Sequence, residues 1–138
     1  MKRKKYTRLK PQSSHPAALL KQEIQSVLRE ICILRDGGCI LRKLRHCLGT
    51  VLQADHLITR GNSATYSDPR LVVCVCRDCH YWKSWNKEQY DSIIRSILPK
   101  DRLDLWERCL RDSWRPVKMD WKKEIVGLKE ILKNLYQV

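Results

Sequence analysis

Phenylalanine is absent from the 138 residues of this chain, and no apolar run approaches the length of a membrane span. A transmembrane helix needs about 18 or more consecutive apolar residues, so the sequence predicts no membrane segment. The basic start is not followed by the apolar stretch of a secretory signal, and we therefore expect a cytoplasmic (intracellular) protein with reduced cysteines. In a reducing compartment, seven cysteines favour metal binding over disulfide bonds.

Acidic residues are in the minority, with 15 Asp and Glu against 28 Lys and Arg, and the formal net charge is +13. Charge of this size usually serves binding to a polyanion, most often nucleic acid. The first ten residues contain many basic side chains and no acidic one, which predicts a basic flexible arm over residues 1–14. The arm either stays solvated or lies on phosphates, and in the second case affinity would fall steeply with salt.

Two strands and a helix are predicted in the middle of the chain, inside a core of residues 37–86. The first strand starts at residue 50 and runs into His56, a Val-rich run over 70–76 forms the second, and a helix begins near Cys79. An N-terminal helix over residues 15–36 precedes this core, because its apolar residues recur at helical spacing. The predicted class is α+β and mostly helical, with a ββα unit between flanking helices.

Residues 87–138 are predicted to form a helical C-terminal region. Polar residues that can act as N-caps precede its three apolar-periodic segments, namely Asn86, Asp101 and Asp120. Ser14 could cap the N-terminal helix in the same way, and Pro116 marks a break. The last segment carries a narrow apolar seam formed by Trp121, Ile125, Leu128, Leu132 and Leu135. This seam either packs against the rest of the domain or forms a dimer contact, since it resembles two heptads.

Four cysteines are candidates for a structural zinc site, which needs four N or S ligands in a tetrahedron. They form the pairs Cys39 with Cys47 and Cys76 with Cys79. The first pair encloses seven residues, so a small turn must bring its ends together. Three alternatives stay open: Cys74 could replace Cys76, because alternate strand residues share a face, His46 could replace Cys47, and His80 could be a fourth zinc ligand. Cys32 and Cys109 fall on apolar faces of predicted helices and are small core residues.

A second kind of chemistry is predicted where Asp55 and His56 precede the Cys76-x-x-Cys79-His80 run. The Asp55 carboxylate offers a hard oxygen that suits Mg²⁺. His56 can take a proton from an attacking water, as a general base does. His80 directly follows a candidate zinc ligand, so the ion would also fix where His80 points. One cation and one base suffice for phosphodiester hydrolysis.

This arrangement, together with Lys83, resembles the HNH endonucleases, also called ββα-metal or His-Me finger nucleases. Over residues 36–86 the chain is similar to phage NinG (Rap) recombination proteins and to phage endonuclease VII resolvases, including the run 60–65 and Asp68. The resemblance departs in two places. Family members usually have a Cys-x-x-Cys first knuckle, and Leu71 stands where the pattern has its middle Asn. Asn62 could take over the role of that Asn and stabilise the loop between the two strands.

The resemblance implies a zinc-stapled ββα-metal core in which the four cysteines bind structural Zn²⁺. It further implies that Asp55 and His80 bind a catalytic Mg²⁺ or Mn²⁺ and that His56 is the general base. The expected activity is metal-dependent hydrolysis of DNA by an endonuclease that resolves branched DNA such as Holliday junctions in phage recombination. A resolvase cuts two strands symmetrically, so a homodimer is expected, with the helices at 16–35 and 120–137 as candidate contacts.

Basic and polar residues surround the predicted site in sequence and could bind DNA, and they are Arg60, Asn62, Arg70, Arg77, Lys83 and Lys87. They could equally form an ordinary solvated basic face. Trp82 and Trp85 either pack in the core or wedge into an opened junction. Two other functions stay open: an HNH nickase without structural preference, and a non-catalytic zinc module that binds DNA.

Overall fold

Six α-helices and a two-stranded antiparallel sheet make up residues 16–112 and 117–137, the ranges that the computed structural model describes. The elements in chain order are α1 (Pro16–Asp36), α2 (Arg42–Arg45), β1 (Leu52–His56), β2 (Val72–Cys76), α3 (Arg77–Lys83), α4 (Lys87–Ile97), α5 (Lys100–Arg111) and α6 (Trp121–Tyr136). A short 3₁₀ turn, Pro69–Leu71, leads into β2. No helix within these ranges is long and apolar enough to cross a membrane. The predicted basic arm, Ser14 and Pro116 lie outside the described residues.

The prediction of a mostly helical α+β fold is confirmed. β1, β2 and α3 follow one another, and α3 packs against both strands. This is the predicted ββα order, and its role as a metal-binding nuclease core stays a prediction. β2 begins at residue 72, two residues later than expected, because Pro69 starts a 3₁₀ turn in which the Asp68 side chain accepts a hydrogen bond from the Arg70 amide.

The two faces of the sheet carry separate cores. In the antiparallel register Ala54 lies opposite Cys74, and Asp55 lies opposite Val73. Successive strand residues point to opposite faces, so Ala54 and Cys74 face one helical layer while Asp55 and Val73 face the other. All of β2 is buried, and each fully buried aliphatic side chain contributes about 1.5–3 kcal/mol to stability.

The layer on the Cys74 face is formed by α1 and α6. Ile24, Leu28 and Ile31 of α1 pack with Ile125 and Leu128 of α6 in one buried cluster. The apolar seam of α6 is therefore covered by α1 of the same chain. Of the two alternatives, packing of the seam against the rest of the domain is the one observed, and the homodimer stays a prediction.

The layer on the Val73 face is formed by α3, α4 and α5. Tyr90 and Ile94 of α4 pack with Leu105 and Trp106 of α5 against the sheet. The Arg95 guanidinium lies over the Trp106 ring, 4.9 Å from its centroid. α4 therefore presents an apolar face to the sheet and places the Tyr90 hydroxyl beside β1.

The outer edge of β2 is closed by side chains and by the segment that follows α1. Asp36 accepts a hydrogen bond from the Cys74 amide at 2.9 Å. The Arg35 and Arg102 guanidinium groups donate to the Val72 carbonyl at 2.6 and 2.9 Å. The Ile40 amide donates to the Cys74 carbonyl at 3.0 Å. Because this edge is satisfied, the open edge of the sheet is that of β1.

The predicted helix caps were right in one of three described cases. Asp120 caps α6, since its side chain accepts from the Lys123 amide. Asn86 occupies the N-cap position of α4, but its side chain makes no capping hydrogen bond, and its Nδ2 donates to the Trp82 carbonyl instead. Asp101 as the cap of α5 is wrong: the helix begins at Lys100, so Asp101 lies in the first turn, where its charge still favours the helix dipole.

Candidate functional site

Four thiols converge at the end of the sheet. The Sγ atoms of Cys39, Cys47, Cys76 and Cys79 all lie within 4.8 Å of one another and could hold a metal ion such as zinc. The Cys39 and Cys47 sulfurs are 3.7 Å apart. Zn–S bonds of about 2.3 Å in a tetrahedron place neighbouring sulfurs about 3.8 Å apart, so the donor set fits a zinc ion in type and spacing.

The wide spacing between Cys39 and Cys47 is taken up by the one-turn helix α2. His46 ends this helix in the left-handed conformation, with φ of 53°, which turns the chain back so that Cys47 meets Cys39. Left-handed backbone is uncommon outside glycine. The sequence predicted that some turn was needed here, but not that it would be helical.

Gly49 lies against the thiol cluster. A Cβ atom at this position would stand 2.7 Å from Cys76 Sγ and 2.8 Å from Cys76 Cβ. Only glycine therefore lets the backbone after Cys47 approach this closely. Sequence reasoning missed Gly49, although a glycine two residues after a candidate ligand was a usable signal.

Cys74 is not part of the cluster, and the idea that it shares a face with Cys76 is wrong. Cys74 packs toward α1 and Cys32, whereas Cys76 lies with the opposite core, because β2 ends at Cys76 and alternation stops there. Burial raises the pKa of Cys74 to about 11 and that of Cys32 to about 12. Both are protonated core thiols. His46 is exposed and also lies outside the cluster.

The Cys76–Cys79 pair receives donors that suit thiolates. The Cys79 amide donates to Cys76 Sγ at 3.4 Å, and the Arg45 guanidinium donates to Cys79 Sγ at 3.0 Å. Burial raises the pKa of Cys76, but the hydrogen bonds from Cys79 and the neighbouring thiols outweigh it and hold that pKa at about 7. The Arg45 guanidinium also lies 4.0 Å from the centre of the Trp82 ring.

The two tryptophans after His80 have different environments. Trp82 packs against the core under Arg45, as the core interpretation predicted. Trp85 lies beyond the end of α3 and is 75% exposed. Because α3 stops at Lys83, the two tryptophans do not share one side of that helix.

The Asp55 carboxylate is buried and has three partners. Lys83 Nζ lies 2.8 and 3.0 Å from its two oxygens, the Tyr90 hydroxyl donates to Oδ2, and His80 Nε2 lies 3.3 Å from Oδ1. Burial raises the pKa of Asp55, but the His80 hydrogen bond and the Lys83 charge outweigh it and lower that pKa to about 2. Asp55 is therefore a carboxylate at neutral pH.

His80 is oriented by Gln53, a residue that sequence reasoning missed. His80 Nδ1 lies 2.7 Å from Gln53 Oε1. An amide oxygen only accepts hydrogen bonds, so Nδ1 carries a proton, and Nε2 is the ring atom that faces Asp55, 3.3 Å from Oδ1. Metal-binding histidines are commonly oriented by such a second hydrogen bond.

His56 lies on the other face of β1 from Asp55. Its Nε2 is 2.9 Å from the Tyr66 carbonyl, and its ring stacks on the Tyr66 ring with centroids 5.2 Å apart. Nε2 therefore donates, and the lone pair is on Nδ1, which is buried and has no hydrogen-bond partner among the described residues. Burial lowers the pKa of His56, so the ring is neutral at neutral pH.

A groove of about 440 Å³ follows the open edge of β1. Residues of α1 and of β1 line it together with Arg60 and His80. Its lining residues are Gln25, Ser26, Arg29, Gln53, Ala54, Arg60 and His80. Two arginines and no carboxylate line it, so the groove suits an anionic ligand.

The predicted DNA-binding residues are dispersed rather than gathered. Arg60 alone among them lines the groove. Arg70 pairs with Asp68, and Lys87 pairs with Asp91 on the surface of α4. Arg77 is exposed on α3. Lys83 lies inside the site as the partner of Asp55, and the Asn62 carbonyl accepts from Thr65 within the loop.

Comparison of the chain with protein-family models, with curated proteins and with solved structures finds no match. The resemblance to the HNH endonucleases therefore stays a prediction.

Replacing Lys83 by methionine is expected to lower the free energy of unfolding by about 2 kcal/mol, because the buried Asp55 carboxylate keeps Tyr90 and His80 as partners but loses the Lys83 ammonium. Lys87→Met is the matched control. Lys87 pairs with Asp91 at exposed helix positions, so its loss should cost under about 0.5 kcal/mol. Urea unfolding of both variants measures the difference, and equal costs would show that the Lys83–Asp55 pair does not stabilise the fold.

Proposed function

We propose that the protein is a metal-dependent endonuclease that hydrolyses phosphodiester bonds in DNA. The observation that carries this proposal is the Asp55–His80 pair, pre-oriented by Gln53 beside a groove lined by arginines. The formal net charge of +13 supports a polyanionic substrate.

The Asp55–His80 pair fits a divalent cation. Its oxygen and nitrogen are 3.3 Å apart, and adjacent octahedral ligands at about 2.1 Å from Mg²⁺ are about 3.0 Å apart. Asp55 is ionised, and Gln53 holds the Nδ1 side of the His80 ring, so Nε2 would coordinate a cation once a proton on it is released. Mg²⁺ or Mn²⁺ held there would stabilise charge on the scissile phosphate and the leaving oxygen.

His56 is the proposed general base. Its Nε2 proton is held by the Tyr66 carbonyl, which leaves the Nδ1 lone pair to accept a proton. The lowered pKa of His56 keeps the ring in the basic form at neutral pH. The adjacent position of Asp55 on the opposite face of β1 lets one strand supply both the cation ligand and the base.

The four-cysteine cluster is proposed to hold structural Zn²⁺. Cys79 is followed directly by His80, and Cys76 caps the helix that carries His80 and Lys83. An ion bound there would fix the start of α3 and, through it, the position of His80.

Resolution of branched DNA by a homodimer is the narrower version of this proposal. It depends on the resemblance to the phage resolvases and on the symmetry that two matched cuts require. The dimer contact would have to use a surface other than the α1–α6 seam, which is covered within the chain.

A non-catalytic zinc module that binds DNA is the second candidate, and two observations favour it. Lys83 already neutralises Asp55, so the carboxylate has a cation without a metal. His56 is only 8% exposed, whereas a general base must reach water.

Cleavage of a labelled four-way junction with Mg²⁺ tests the proposal, with a linear duplex of the same sequence alongside. We expect Mg²⁺-dependent nicking by the parent and loss of at least about 100-fold in rate for His80→Ala. Equal rates on the two substrates would support a nickase without structural preference. Tight binding with no cleavage by the parent would favour the non-catalytic module.

A further inference from the structure

We propose that helix α1, which lies outside the segment resembling nucleases, forms half of the binding groove for a DNA strand. The ligand is one phosphodiester strand lying along the open edge of β1, with Arg29 of α1 and Arg60 as its phosphate contacts. This inference rests on the proposed nuclease function for the identity of the strand, and it adds a wall and a contact residue that the sequence pattern did not indicate.

The charges that line the groove favour an anionic ligand. Arg29 and Arg60 both line it, and no Asp or Glu does. Arg60 has no carboxylate partner in the described part of the chain, unlike Arg70 and Lys87, which are paired with Asp68 and Asp91. Unpaired arginines facing one groove are free to bind phosphate, whose geometry matches the guanidinium fork.

Arg29 is positioned by the backbone of β1. Its Nε donates to the Leu52 carbonyl at 2.8 Å, at the open edge of β1. This bond holds the guanidinium against the strand edge while its terminal N–H groups have no protein acceptor within the described ranges. Arg29 is thus oriented by the backbone and still has donors for an anion.

His80 connects the groove with the proposed cation site. Its side chain is 39% exposed and lines the same groove while Nε2 faces Asp55. A strand bound between Arg29 and Arg60 would therefore pass His80, one of the two proposed cation ligands. The phosphate contacts and this ligand thus line the same groove.

Two serine-to-glutamate variants test the inference in a His56→Ala background, which removes cleavage. Ser26 lines the groove on an exposed turn of α1, and Ser92 is exposed on α4 away from it. Both changes alter net charge equally at solvent-exposed helix positions. Ser26→Glu should also pair with Arg29 three residues later and so withdraw that arginine from phosphate.

Binding is measured by fluorescence anisotropy with a labelled single-stranded oligodeoxynucleotide at fixed salt. We expect Ser26→Glu to weaken binding about tenfold, Ser92→Glu less than about twofold, and Arg29→Gln to reduce the salt slope by about one. Equal weakening by both glutamates, or none by Ser26→Glu, overturns the inference. If the protein with His56 intact still cleaves DNA in that case, only the groove inference is wrong and the proposed nuclease function stands. Absence of DNA binding by the parent counts against both proposals.

Discussion

Replacing Cys76 by serine is expected to abolish metal binding and to lower the free energy of unfolding by more than about 3 kcal/mol. Structural zinc sites contribute directly to folding free energy, and Cys76 is one of four converging thiols. Its Sγ also accepts the Cys79 amide and caps α3. Loss of the ligand therefore releases the start of α3, the helix that carries His80. Elemental analysis of purified protein should fall from one zinc per chain to none, and urea unfolding gives the stability change.

Cys74→Ser is the matched control for that experiment. Cys74 is buried on the same strand two residues earlier, but its side chain faces the α1–α6 layer. The change places a hydroxyl in an apolar site, which costs about 1–3 kcal/mol, and it should leave one zinc per chain. Retention of zinc by Cys76→Ser together with its loss from Cys74→Ser would contradict the assigned ligand set.

Replacing His56 by alanine is expected to reduce Mg²⁺-dependent cleavage of DNA by about 100-fold to 10,000-fold, the usual contribution of a general base. DNA binding should change little, because His56 does not line the groove. A single-turnover cleavage assay with saturating protein separates these two effects. Circular dichroism checks that removal of the ring stacked on Tyr66 leaves the fold intact.

His46→Asn is the control for the loss of a histidine. His46 is exposed, lies outside the thiol cluster and has left-handed backbone, which asparagine tolerates. Because His46 has no proposed catalytic role, the cleavage rate of His46→Asn should stay within about twofold of the parent rate. Loss of the general base should instead cost about 100-fold or more. Undiminished cleavage by His56→Ala would remove the proposed mechanism, whatever the behaviour of His46→Asn.

Local patterns were sufficient for several features of this protein. Helical spacing of apolar residues predicted α1 and the C-terminal helices, since a buried stripe follows from the period of the helix itself. The four thiols that converge are the four that cysteine spacing selected. These predictions succeed because both backbone period and ligand chemistry are expressed over short stretches of chain.

The partners of Asp55 and of the α6 seam were decided only by tertiary structure. Lys83 was predicted to contact DNA, yet Lys83 and Tyr90 both bind the Asp55 carboxylate from helices packed on β1. α1 packs on the seam, and it also lines the groove with Arg29. A residue's type and period say that it will be buried or charged, but which group it meets depends on how distant segments pack, and that information is not contained in any local pattern.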